Sequence, residues 1–192
     1  AEDFGSDWQM TATLGLGNIA LMRGHFDESL AIARDVLERS RAEDDPVAIA
    51  QALLVLGYTL EFAGHAVQAI YPLQESDRLS RLIEDSGGSA WAHRTEAKVY
   101  LAVGELDRAK AMLNTAIFEF QSIGDQVMVA SCELDLIRIL LAHGGAPDPR
   151  EMCRVMERLV PSVNSFIAIE LLGTGVQALL AMRELQGAME LL

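Results

Sequence analysis

The sequence predicts an all-α protein, a right-handed α-α superhelix built as a solenoid of about four and a half helical hairpins with a 40-residue period. Two observations carry that prediction. Glycines at positions 24, 64, 104 and 144 recur at one constant interval, and self-similarity of that length is the signature of stacked supersecondary units. The second is composition: 51% of the 192 residues are apolar but only 6% aromatic, and the apolar share is mostly Ala, Leu, Ile, Val and Met, which fill helices well apart from the β-branched pair.

The phase carries other positions with it. Leu16-Gly17, Leu56-Gly57 and Glu96-Ala97 precede the marker glycine by the same offsets, Ser29, Ala69 and Ala109 follow it by five, and Asp45, Asp85 and Asp125 close each unit. Ala12, Ala52, Ala92 and Cys132 open the next. One solenoid is expected over residues 1–192, with hairpins at about 5–45, 46–85, 86–125 and 126–161 and an incomplete fifth at 162–192.

The second hairpin shows the logic of each element. From Pro46 the first helix (helix A) is apolar around nearly its whole circumference, as a helix packed on both sides must be. Gly64 ends it, because a residue without Cβ enters the left-handed region freely. The second helix (helix B) carries Ala66, Ala69, Ile70 and Leu73 on one face and Gln68, Gln74, Glu75 and Asp77 on the other. Gly57 and Ala69 are small enough to let the two backbones approach where they cross. Pro72 falls within helix B and is expected to kink it unless it lies in the first turn. The fourth unit keeps helix A but breaks after His143 into Gly-Gly-Ala-Pro-Asp-Pro, so its second helix should begin late, near Pro149; Ser162 to Glu184 reads as the fifth unit's first helix. The chain begins Ala-Glu-Asp and stops within a helical pattern, which suggests a piece of a larger protein. An apolar helix at that end would also allow a homodimer.

The segment Leu16 to Leu37, with Leu-Gly, Gly, Phe, a small residue and Ala in fixed order, resembles the tetratricopeptide repeat. Three units match well, from about Gly5 to Asp125. The departures are a helix-A tryptophan position occupied by Thr13, Leu53 and His93, no proline closing each unit, and a period of 40 where the family's is 34. The longer period implies longer helices. Long repeats whose units end in Gly-Asp or Glu-Asp look like the C-terminal arrays of large bacterial STAND/LuxR-type ATP-dependent transcriptional regulators. That resemblance implies a non-catalytic binding or sensor module of a multidomain signalling or transcription regulator. The alternative is a general interaction scaffold or adaptor gripping an acidic linear peptide.

In such solenoids the A helices line a concave groove. The resemblance places Asn18 in it from the first unit, Gln51, Tyr58 and Glu61 from the second, Trp91, Arg94 and Lys98 from the third, and Arg138 from the fourth. One row, Asn18, Tyr58, Lys98 and Arg138, is a polar ladder on otherwise apolar helices. With Arg94 beside that row, three cations in the groove would reverse the local field of a chain with 28 acidic and 15 basic residues, favouring an acidic peptide or an anionic inducer. The competing expectation is that Lys98 and Arg138 pair with acidic neighbours and are merely solvated. The chaperone-tail receptors of the family need a lysine where Leu14 stands, which sets that role aside.

The net charge of −13 disfavours direct contact with nucleic acid or an anionic membrane surface. Every apolar run is interrupted short of the roughly 18 residues that would span a membrane. Cys132 and Cys153 form no CxxC pair, which fits a reduced, cytoplasmic protein. His25, His65 and His143 flank turns, His93 lies in a helix, and no HExxH, nucleophile elbow or phosphate loop is present. No enzyme activity, metal or cofactor is expected.

Overall fold

The computed structural model describes residues 4–145 and, beyond them, residues 148, 150, 154, 155, 157 and 180, with side chains described from residue 9 onward. Seven helices follow one another among the described residues: α1 (Phe4–Met22), α2 (Phe26–Ala42), α3 (Pro46–Phe62), α4 (Ala66–Leu82), α5 (Ser86–Ala102), α6 (Leu106–Ser122) and α7 (Gln126–Ala142). The expected all-α repeat array is what forms. Of the fourth hairpin's second helix only Arg150, Arg154, Val155 and Glu157 are described, all helical. Cys153, the expected fifth helix Ser162 to Glu184 and the apolar end helix lie outside the described residues. By compactness the chain forms two units, Ala1–Glu119 and Phe120–Leu192.

From α2 to α7 the helices are equal in length, 17 residues each. They begin at positions 26, 46, 66, 86, 106 and 126, in steps of half the sequence period. The same turn joins each pair. At Gly24 the backbone enters the left-handed region with φ 79°, its N–H reaches Leu21 O (2.8 Å), and the N–H of His25 reaches back to Ala20 O (2.9 Å). This is the paired hydrogen-bond pattern of a Schellman cap, which satisfies carbonyls that the helix end would otherwise orphan. It recurs at Asp44, Gly64, Glu84, Gly104, Gly124 and Gly144. The marker glycines thus identify four of these seven turns; the other three stand midway between them, two with carboxylate side chains instead of glycine.

The aspartates expected to close the units open the A helices instead. The side chain of Asp45 accepts from Val47 N and Ala48 N, that of Asp85 from Gly88 N (2.9 Å), and that of Asp125 from Met128 N (3.0 Å). Each is an N-cap, stabilising its helix by about 1 kcal/mol. Ala52, Ala92 and Cys132 lie within A helices rather than at their starts, and all three are buried. Pro72 does not end α4, which runs on to Leu82.

In the first unit each helix from α1 to α4 packs on the next, and the A helices α1, α3 and α5 also touch in succession. The main core runs through Leu14, Leu30, Val36, Leu53, Leu56, Leu73 and Leu79. Ser29, Ala69 and Ala109, each at the same offset past a marker glycine, are completely buried. At Gly57 a Cβ would come 2.5 Å from Leu73 Cδ2, so α3 and α4 cross there at a distance only glycine allows. Small polar groups in the core are satisfied locally: Ser29 Oγ meets Thr59 Oγ1 at 2.9 Å, and Ser76 Oγ donates to Ala50 O at 2.8 Å.

Candidate functional site

The A helices of the first unit bring the expected groove residues onto neighbouring helices. Asn18 of α1 and Tyr58 of α3, one repeat apart, are joined directly, the phenol donating to the Asn18 side-chain oxygen. Burial pushes the Tyr58 phenol far up, and the Asn18 hydrogen bond opposes that only in part. The tyrosine is thereby held as a neutral donor in place. Gln51 and Glu61 are half-buried on the same helix.

Two cations of α5 meet aromatic rings. The Lys98 ammonium lies 5.0 Å from the centre of the Phe62 ring, and the Arg94 guanidinium 5.8 Å from that of Trp91. These are cation–π distances, in which a positive charge faces the negative face of a ring. Tyr58, Phe62 and Trp91 are all half-buried, in a chain with only three Tyr, six Phe and two Trp. Arg94 is buried, so Trp91 and Lys98 offer more surface than the guanidinium does. Phe62, two positions before Gly64 as Met22 is before Gly24, falls at one of the groove-facing offsets of the repeat as well. Arg138 belongs to the second unit, where its Nη1 is 2.8 Å from the buried carboxylate of Asp135 on its own helix.

A second polar group was not anticipated. Between α4, α5 and α6 lie Asp77, Arg81, Ser89, His93 and Glu119. Arg81 Nε is 2.9 Å from Asp77 Oδ1, and Ser89 Oγ is 2.5 Å from the same oxygen and 3.1 Å from Glu119 Oε1. His93 is buried, with Nδ1 2.8 Å from Glu119 Oε2 and Nε2 3.3 Å from Arg81 Nη2. Nε2 also stands 3.6 Å from Asp77 Oδ1, so the ring is held between polar groups of α4 on one side and Glu119 of α6 on the other. Further along α5, the buried Glu96 accepts from Gln74 Nε2 and Tyr100 Oη, each at 3.0 Å; burial first and this carboxylate second raise the Tyr100 phenol. No set of three or more His, Cys, Asp or Glu among the described residues could hold a metal ion, and none of the described helices is long and apolar enough to cross a membrane.

Solved structures share this fold. The chain is similar to BtubC (BKLC) from P. vanneervenii, with TM-score 0.61 and 16% identity over 91% of this chain and 78% of that one. It is similar also to the nearly identical TPR-like repeats of a Podosopora anserina protein of kinesin-light-chain type, with TM-score 0.67 and 13% identity over 95% and 89%, and equally to a singly substituted form of it. At these identities the likeness concerns fold alone. No curated protein matches the chain in sequence. Residues 5–192 match the family described as the MalT-like TPR region, and the chain belongs to that family.

Proposed function

We propose that this MalT-like TPR region is the binding or sensor module of a bacterial, cytoplasmic multidomain signalling or transcription regulator, holding a protein, peptide or inducer on the inner face of α1, α3 and α5. The coarse part rests on family and fold: the array is a repeat module of the protein-interaction type, and such repeats are generally non-catalytic scaffolds. The observation that supports a site on this face is the half-buried set Tyr58, Phe62 and Trp91 with Lys98 over the Phe62 ring. Half-buried aromatics with an adjoining cation combine large contact area with little flexibility to lose, which is what binding hot spots are made of.

The second reading, a scaffold for an acidic linear peptide, draws on Lys98 and Trp91, which would meet a carboxylate and its aliphatic neighbour. Two measurements separate the readings. Native mass spectrometry of the purified chain should retain a small metabolite if the ligand is an inducer. Fluorescence anisotropy against a set of acidic decapeptides should detect binding if it is a peptide, and Trp91→Ala with Lys98→Glu should weaken that binding by about 2 kcal/mol or more, as loss of a hot spot does. A chain that retains no metabolite and binds no peptide, or peptide affinity unchanged in the double variant, removes this face from consideration. For the regulator role, an adjoining reading frame that encodes a kinase or a membrane anchor instead of a P-loop ATPase and a helix-turn-helix would overturn it.

A further inference from the structure

The polar group between α4, α5 and α6 gains its meaning when the chain is shifted by one repeat. Asp77, Ser89, His93 and Glu119 occupy the positions held one repeat earlier by Leu37, Ile49, Leu53 and Leu79. Leu37, Leu53 and Leu79 are buried in the main core, and Ile49 packs against it. The joint between hairpins 1 and 2 is thus closed by four aliphatic side chains. The joint between hairpins 2 and 3 is closed at the same four places by two carboxylates, a hydroxyl and an imidazole, with Arg81 laid over them. The contrast extends along the helices. Of the nine buried residues of α3 only Thr59 is polar, whereas those of α5 include Ser89, His93, Arg94, Thr95 and Glu96.

We infer that the joint between hairpins 2 and 3 is a conformational device, the place where the first unit opens before it opens anywhere else inside. Asp77 and Glu119 are only half-buried and the Arg81 side chain is 58% exposed. Ion pairs so open to water contribute little, so this cluster holds less strongly than the buried aliphatic packing at the same four places. In a repeat array each hairpin is held by its own folding tendency plus the joints to its neighbours. A weaker joint therefore sets the boundary of partial opening. No single hairpin buries its apolar face alone, so α5 loses its helix when this joint parts. The start of α5, Ser86-Gly87-Gly88, adds little resistance, since glycine is a poor helix former. Closed, the network fixes α5 through directional bonds; parted, it leaves charged groups that water solvates readily.

Native-state hydrogen exchange on the full chain tests this. Amides 93–100 of α5 should exchange roughly tenfold or more faster than amides 53–60 of α3, about what the burial of one aliphatic side chain more or less in a joint is worth. Equal protection of the two stretches overturns the inference, and that comparison needs no variant. Making the second joint like the first, with Asp77→Leu, Ser89→Ile, His93→Leu and Glu119→Leu together, should slow exchange in 93–100 to the level of 53–60. A folded quadruple variant whose α5 still exchanges faster would overturn it as well.

Discussion

Glu84 sits in a left-handed turn, φ 60°, at a position equivalent to Gly124, and Asp44, φ 52°, stands at the same place one repeat earlier. For a residue with a Cβ this conformation costs roughly 1–2 kcal/mol. Replacing Glu84 by Gly should therefore raise stability by about 1 kcal/mol, less than the full strain because glycine gains freedom in the unfolded chain. Asp44→Gly should raise it by less, since aspartate tolerates this region better. Urea midpoints at unchanged slope measure both, and a destabilised Glu84→Gly protein would show that the glutamate side chain contributes more than its backbone loses. These two residues also show what the sequence concealed. Glycines at 24, 64, 104 and 144 advertised the long repeat, but the structural step of half that length was hidden because carboxylates stand where glycines would have revealed it. The candidate groove residues could be placed on the A helices by offset from those glycines. Their partners were not: that Lys98 reaches Phe62, and Arg138 an aspartate of its own helix, depends on side-chain reach rather than on spacing.

Helix pairs cross at small residues, and the tightness differs between hairpins. A methyl at Gly57 would stand 2.5 Å from Leu73, which is fully buried, while one at Gly17 would stand 3.2 Å from Ile32 Cγ2, on a half-buried residue with room to move. Overpacking a closed core costs about 1–3 kcal/mol, against which alanine returns about 1 kcal/mol of helix propensity. By the same balance, Gly57→Ala should lower stability by about 1 kcal/mol and Gly17→Ala leave it level or slightly higher. Thermal unfolding of the two variants side by side decides; a loss at Gly17 as large as at Gly57 would refute the crossing argument. The apolar girth of α3 and the two-faced α4 could be read directly from residue order. The polar interior of α5 could not, because Ser89, His93 and Glu96 look like a solvated face until Asp77 and Gln74 of α4 and Glu119 of α6 are seen to meet them.

Over the whole chain, two compact units divide within α6, and stacked repeats hold one another only through their neighbours. Unfolding should not be a single two-state event. Both tryptophans, Trp8 and Trp91, belong to the first unit, so their fluorescence reports on that unit while far-UV circular dichroism reports on all helices. The two urea transitions should separate; superimposable curves would mean that the units unfold as one. The fold class was legible at this scale because self-similarity over so long a period survives any single substitution. What the array holds was not, since a binding face is set by a few side chains free to vary within an unchanged scaffold.

The aliphatic and polar joints also restrict how a gene for such an array can be rearranged. A recombination joining position 45 to position 86 would keep every cap and turn in phase, because one whole hairpin is removed. Arg41 would take the place of Arg81, but Leu37 would take the place of Asp77, and the α5 side chains that meet that carboxylate would face a hydrocarbon instead. Hairpins that are interchangeable in length are not interchangeable in order.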